Sequence, residues 1–138
     1  MHSLLKSTFC LHRRDGLTHD EFVAYWRDVH APLVQEVADV LGIVGYRQVH
    51  TVAGRANRGL QASRGGPEPY DGVAEAWFVD LPSALAAFVS PEGTVAWQRL
   101  ADDERRFIDL DRSPIFFGDE VVVIDGGRAG GRARTGPG

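Results

Sequence analysis

The sequence predicts one α+β domain with four strands and two helical regions in the order βαββαβ. Three observations support this prediction. Four short segments have the residue alternation of β-strands, a capping motif opens an amphipathic stretch after the first of them, and a proline opens a second helical stretch after the third. A chain of 138 residues is long enough for a sizeable core but short for two domains. We therefore expect one domain over residues 1–124 and a disordered Gly/Arg-rich tail over residues 125–138.

The first strand is predicted over residues 4–13, where apolar and polar residues alternate. Thr18 and Glu21 then have the spacing of a capping box, so a helix is predicted to begin at Thr18. Large apolar residues recur after it at steps of three and four, which places them on one helix face directed at a core. These residues are Phe22, Tyr25, Trp26, Val29 and Leu33.

His30 lies where this helix is predicted to break. Pro32 disfavours helical angles in the residue before it, so we expect the first run to end or kink near His30 and Ala31 and a second run to start at Pro32. An imidazole beside the exposed carbonyls of a helix end is favoured in its protonated form. His30 is therefore either an acid or base working near neutral pH, or a structural residue that caps the helix end.

The remaining elements follow from the same patterns. Residues 53–72 are poor in apolar side chains and are predicted to form a long surface loop, which would be either a lid over a site or disordered. Three further strands are predicted over residues 43–52, 73–79 and 115–124. Two further helices are predicted over residues 83–89 and 91–109, and Pro82 opens the helix over residues 83–89. This element order is that of a ferredoxin-like fold with a four-stranded antiparallel sheet.

The run RRDGLTHDEFVAYWRDVHAPLV resembles the signature of the EthD family. The matching features are the Arg-Asp-Gly-Leu-Thr lead-in, the Phe-x-x-Tyr-Trp pair and the His-Ala-Pro-Leu end. The resemblance in element order covers residues 4–124, apart from the loop at 53–72. It implies a dimeric α+β barrel, in which the sheets of two subunits pack face to face and each subunit keeps a ligand cavity between its sheet and helices. The implied protein partner is thus a second copy of the chain.

Composition argues against several classes of function. A net charge of −4 and a pI near 5.7 provide no general attraction for nucleic acid. No apolar run has the length of a membrane span, and the single cysteine, Cys10, excludes an internal disulfide, so we expect a cytoplasmic protein without membrane contact. The sequence has no Gly-rich phosphate loop, no Gly-x-Ser-x-Gly motif and no metal-ligand spacing, so neither a cofactor nor a metal is expected.

Four residues are candidates for catalysis, and each has a structural alternative. His30 is a candidate acid or base, and it occupies the histidine position of the family signature. Tyr25 follows the signature phenylalanine by one helical turn. Glu75 shares a strand face with Trp77, so it is either a carboxylate with a raised pKa against an aromatic wall or a residue facing solvent or the dimer contact. Asp119 follows Gly118 in the fourth strand, where either a bulge directs it inward or it is an edge charge.

Aromatic side chains are numerous enough to line a pocket for a flat ligand, although most aromatic residues in any domain pack in its core. The candidate substrate-binding residues are Trp26, Tyr46, Trp77, Phe88 and Trp97. Proteins resembling this one include accessory proteins of ether degradation and proteins encoded with aromatic polyketide pathways, and sister families include polyketide cyclases and cofactor-free monooxygenases.

The resemblance favours a cofactor-independent cyclase or dehydratase that acts on an aromatic, polyketide-like substrate. In this hypothesis His30 moves a proton, and Tyr25 or Tyr46 holds a carbonyl or enolate oxygen. Two alternatives stay open at this point. One is a cofactor-free monooxygenase of anthrone or quinol-type substrates, and the other is a non-catalytic binding or accessory protein.

Overall fold

A computed structural model describes residues 4–126 of the chain. Four strands, β1 (Leu5–Leu11), β2 (Gly45–His50), β3 (Gly72–Phe78) and β4 (Ile115–Asp119), form one sheet in the spatial order β2-β3-β1-β4. All three pairings are antiparallel. The α-helices are α1 (His19–Tyr25), α2 (Ala31–Leu41), α3 (Arg55–Arg64), α4 (Leu81–Val89) and α5 (Pro91–Glu104). A π-helical segment (Trp26–His30) joins α1 to α2, and a short 3₁₀ turn (Leu110–Arg112) precedes β4. The predicted ferredoxin-like α+β fold is confirmed.

The two faces of the sheet differ in character. Successive strand residues point to opposite faces, and one face carries the buried Leu5, Phe9 and Leu11 of β1 together with Ala76 and Phe78 of β3. These side chains pack in apolar clusters with residues of the helices. The opposite face carries half-buried or exposed side chains, which include Lys6, Arg47, Val49, Glu75 and Trp77. The core and any enclosed ligand site therefore lie on the helical side.

The helical region after β1 begins as predicted but does not break. The Thr18 hydroxyl accepts the Glu21 N–H at 3.1 Å and the Glu21 carboxylate accepts the Thr18 N–H at 2.8 Å, which confirms the capping box. His30 and Ala31 keep helical angles, so the chain does not leave the helix there as one alternative expected. The helix type does change at this point, and the second helix begins at Ala31, one residue before the predicted start at Pro32. Pro32 has no N–H for the i−4 carbonyl, and the chain accommodates this by widening into the π-helical turn just before it.

Three other element predictions need correction. The loop predicted over residues 53–72 contains α3. This helix has no buried residues, so its sequence lacks the apolar stripe that indicates a helix packed on a core. The last helix ends at Glu104 and not at residue 109, since Phe107 and Ile108 turn into the core. The fourth strand ends at Asp119 and not at residue 124, because Asp119 pairs with Leu5, the first residue of β1. Residues 127–138, which hold most of the predicted tail, lie outside the described residues.

Asp71, just before β3, connects the ends of three elements. Its carboxylate accepts the Arg13 backbone N–H, the Arg13 guanidinium and the His19 Nδ1, each at 2.8 Å. Burial alone would raise the pKa of Asp71, but the hydrogen bonds from Arg13 and His19 outweigh burial and hold this pKa below its ordinary value. The folded state therefore favours the charged carboxylate.

We expect Asp71→Asn to lower the free energy of unfolding by about 2–3 kcal/mol at neutral pH, because the amide loses the ion pair with the Arg13 guanidinium and cannot accept all three hydrogen bonds. A depressed carboxyl pKa stabilises the fold above the unfolded-state value of about 4, and this contribution is lost as pH falls through the folded-state pKa. The difference between wild type and variant in urea unfolding should therefore shrink in acid. The control is Asp15→Asn at an exposed position, and equal losses for the two variants would contradict the prediction.

Candidate active site

A cavity of about 200 Å³ lies between the helical face of the sheet and the surrounding helices. Its walls are mainly apolar and rich in rings, with small residues such as Ala74 and Ala76 over the sheet. The aromatic lining residues are Phe9, Trp26, Tyr46, Phe78, Phe88, Trp97, Phe116 and Phe117. Besides Tyr46, the ionisable side chains of His30 and Glu104 line the same cavity. The cavity thus combines an apolar volume with a few groups able to move protons.

His30 lies at the end of the π-helical segment and is only 5% exposed. Its Nδ1 is 2.8 Å from Asp103 Oδ2, and the Tyr25 hydroxyl donates to Asp103 Oδ1 at 2.6 Å. Since a carboxylate only accepts, Nδ1 carries the proton of the neutral ring and Nε2 keeps its lone pair. Burial lowers the pKa of His30 and outweighs the opposing effect of Asp103, so the neutral ring is favoured.

Burial and the Asp103 carboxylate also change the pKa of Tyr25. Its pKa is raised to about 12, first by burial and then by the hydrogen bond to Asp103. Tyr25 therefore stays protonated and acts as a donor that fixes Asp103, which in turn orients His30.

Glu104 follows Asp103 at the end of α5, and its carboxyl faces the free nitrogen of the histidine. Glu104 Oε2 lies 3.9 Å from His30 Nε2. Burial raises the pKa of Glu104 to about 7, and the nearby charge of Asp103 adds to this effect. At neutral pH a large share of the molecules therefore carries a protonated Glu104 beside a neutral His30.

A polar chain lies along β2 beside this pair. The Tyr46 hydroxyl accepts the Trp26 indole N–H at 3.3 Å and the Gln48 amide N–H at 3.2 Å. Gln48 Nε2 also donates to the Trp26 carbonyl at 3.0 Å, and Gln48 Oε1 accepts from His50 Nε2 at 2.8 Å. The tyrosine ring is thus fixed at the cavity wall by groups on β2 and on the π-helical segment.

Comparison with known proteins places the chain in a family. The EthD domain family matches residues 14–111, which is well over half of the chain. The chain belongs to the EthD family. A search of curated proteins found no match to it.

Solved structures agree with the fold of this EthD domain. An EthD family protein from Bacillus halodurans is 18% identical, with a TM-score of 0.57 over 86% of this chain and 99% of the other. An EthD-like protein from Ralstonia eutropha is 17% identical, with a TM-score of 0.59 over 90% and 97% of the two chains. A protein of unknown function from Bacteroides fragilis, described as dimeric and ferredoxin-like, is 9% identical, with a TM-score of 0.54 over 85% and 96%.

Several predicted site residues meet at the cavity of this EthD domain. His30 and four of the five predicted binding residues line it, namely Trp26, Tyr46, Phe88 and Trp97. Tyr25 lies behind His30 and contacts Asp103. The structure thus places these side chains together, and their roles in binding or catalysis stay predictions.

The other three predicted residues lie away from the cavity. Glu75 and Trp77 are on the opposite face of the sheet, where Glu75 lies 2.7 Å from Lys6 and the Trp77 indole donates to Glu120 at 3.0 Å. Asp119 is an exposed residue at the end of β4. Of the two alternatives for Asp119, the bulge at Gly118 is absent, because β4 pairs regularly with β1 through this position.

The sequence analysis did not identify Asp103 and Glu104, which lie among several acids and arginines near the end of the helix predicted over residues 91–109. One signal was present, since Glu104 follows Ala96 and Leu100 at steps of four and so lies on the face of α5 that these buried residues define.

Residues 4–126 hold no group of three or more His, Cys, Asp or Glu side chains placed to bind a metal ion. None of the helices described in this range has the length and apolar character to cross a membrane.

Proposed function

We propose that this EthD protein is a cofactor-independent cyclase or dehydratase that acts on an aromatic, polyketide-like substrate. The observation that supports the proposal is the pairing of His30 with Glu104 at the cavity wall, with the two pKa values shifted in opposite directions. A base that is neutral and an acid that is protonated near the same pH are the two partners required for proton transfer at carbon and oxygen.

In the proposed reaction His30 Nε2 removes a proton from a carbon next to a substrate carbonyl. The imidazolium that forms is stabilised through Nδ1–H by Asp103, which Tyr25 holds in place. Glu104 donates its proton to the departing hydroxyl group, which leaves as water while the new carbon–carbon double bond forms. The proton on Nε2 then returns to the Glu104 carboxylate across the 3.9 Å between them, and the site is restored.

The aromatic wall supports a ring-containing substrate. The Phe88 ring is stacked with Trp97 at a centroid distance of 4.6 Å and with Phe117 at 6.1 Å. Rings held in nearly parallel planes present flat faces on which a planar ligand stacks in the offset geometry that aromatic groups prefer. Such packing would hold the reacting carbon beside His30 and Glu104.

We further propose a homodimer formed by packing the open sheet faces of two subunits. This face carries Trp77 and Val49, and Val49 is 51% exposed, so a second sheet would bury apolar area there. Two structural neighbours, from Bacteroides fragilis and Thermobifida fusca, are described as dimeric. Sedimentation of the purified chain tests this, with twice the monomer mass expected and the monomer mass as the contrary result.

The experiment that tests the proposed reaction is a panel of anthrones, quinols and linear aryl β-hydroxy ketones incubated in D₂O with and without oxygen. We expect deuterium incorporation next to the carbonyl, or loss of water, at equal rates in both atmospheres, and neither with His30→Ala. Products formed only with oxygen would overturn the proposal in favour of a cofactor-free monooxygenase. Binding without exchange or conversion of any compound would overturn it in favour of an accessory binding protein.

A further inference from the structure

The hydroxyl group of Tyr46 lies at the cavity wall and has no role in the proposed reaction. Its oxygen accepts two N–H groups, from Trp26 and from Gln48. A phenol oxygen has two acceptor positions and one proton. Both acceptor positions are therefore occupied, and the proton has to point away from these two donors.

The direction left for this proton is the cavity. Tyr46 lines the cavity, and no group within residues 4–126 accepts a hydrogen bond from its hydroxyl. Tyr46 is half-buried, and a donor without a protein acceptor at the cavity wall favours a ligand that supplies an oxygen there. The same wall carries the carboxyl of Glu104, while neither lysine nor arginine is found among the described lining residues. A ligand oxygen that carries a negative charge would find no permanent cation among these residues, since the neutral form of His30 is favoured.

We propose that Tyr46 is the donor for an uncharged carbonyl or enol oxygen of the ligand, and that Gln48 is the positioning residue that keeps its proton directed into the cavity. This inference rests on the proposed function in one respect, namely that the ligand is taken to be the substrate of the same cavity. It adds a charge rule, in which neutral ketones and enols are bound and carboxylates of the same shape are rejected.

Gln48 suits this role because rotating its side-chain amide by 180° would break a hydrogen bond. Its Oε1 accepts from His50, and its Nε2 donates both to Tyr46 and to the Trp26 carbonyl. Exchanging the two ends would place an oxygen against the Trp26 carbonyl, which can only accept, and this hydrogen bond would be lost. Gln48 therefore presents a donor to Tyr46, and Tyr46 has to direct its own donor elsewhere.

Binding of three naphthalenes that share one ring system tests the proposal. The probes are 2-acetonaphthone, a neutral ketone, 2-ethylnaphthalene, which lacks the oxygen, and 2-naphthoate, an anion. With the wild-type protein we expect the ketone to bind about fivefold more tightly than the hydrocarbon, as one net hydrogen bond provides. The anion should bind at least tenfold more weakly than the ketone. Equal affinity for the ketone and the hydrocarbon, or preference for the anion, would overturn the proposal.

Variants separate the roles of the two residues. Tyr46→Phe should remove the preference for the ketone, and Gln48→Glu should also remove it, since a carboxylate accepts the tyrosine proton and turns it away from the ligand. Tyr70→Phe, a change at a more exposed tyrosine outside this cavity, should keep the preference. A preference unchanged in Gln48→Glu would show that Gln48 does not position the hydroxyl.

The carbonyl stretch of bound 2-acetonaphthone gives a second readout that does not depend on the stability of any variant. With the wild type it should shift to lower frequency than in hydrocarbon solvent, and an unshifted band would overturn the proposal. Neither binding nor the infrared band requires turnover. Failure of this inference is therefore distinguishable from failure of the proposed reaction.

Discussion

His30→Asn is expected to lower turnover of an exchangeable ketone by about 10²–10⁴-fold, the range that a positioned general acid or base contributes. The affinity for an unreactive ligand should change little, because the cavity walls stay in place. Asparagine keeps a polar group that can bond to Asp103, whose carboxylate would otherwise lose the donor that lies 2.8 Å away. Rates of deuterium exchange and dissociation constants, measured on the same samples, give both quantities.

The matched test of this prediction is Asp103→Asn beside Asp102→Asn. Asp103 accepts from both Tyr25 and His30, so its amide variant should slow exchange strongly by disturbing the orientation of the ring and its tautomer. Asp102 is the preceding residue on the same helix, and its side chain is 63% exposed, so its amide variant should leave exchange unchanged. Equal rates for all of these proteins would rule out His30 as the base.

The sequence predicted His30 because its signals are local. The capping box fixes where α1 begins, and His30 stands just before Pro32 at the histidine position of the family signature. These signals depend on the spacing of residues within about a dozen positions, so they can be recognised without knowledge of the fold. The core face of β1 followed in the same way from alternation.

Asp103 and Glu104 could not be assigned in this way, since their role depends on contacts across 73 residues of chain to His30. In sequence they belong to a run of acids and arginines at the end of a helix, where exposed charges are the ordinary outcome. Only the packing of α5 against the π-helical segment decides which acids of this run are buried. Glu75 is a similar case. Residue alternation correctly placed Glu75 and Trp77 on one face of a strand, but it could not show which face of the sheet carries the cavity.

The π-helical turn explains how one short segment serves two parts of the site. Widening the helix after Tyr25 places Trp26 with its indole N–H on Tyr46 and its carbonyl on Gln48. At the other end of the same segment, His30 reaches Asp103. Short π-helical turns within α-helices frequently coincide with functional positions. Here Pro32 supplies a local reason for the turn, because it removes a donor at the start of α2.

Glu104→Gln is expected to remove a fall in stability that the wild type shows as pH rises. A carboxyl group whose pKa rises from about 4.3 in the unfolded chain to about 7 in the folded protein binds more protons when folded between these values. The free energy of unfolding of the wild type should therefore fall as pH rises from about 4 to 8, by up to roughly 3 kcal/mol. The glutamine variant is uncharged throughout and should lack this fall, so it becomes the more stable protein at alkaline pH.

Urea unfolding at closely spaced pH values measures this difference, with Asp102→Asn as the control for removing one acid from the same helix end. The control should follow the wild-type curve, since the Asp102 carboxylate is exposed and, within residues 4–126, pairs only with its helix neighbours Gln98 and Arg105. Parallel curves for wild type and Glu104→Gln would show that the buried carboxyl ionises as it does in water. In that case Glu104 would lack the proton that the dehydration step requires at neutral pH. The stability curve thus tests the acid of the proposed pair without any knowledge of the substrate.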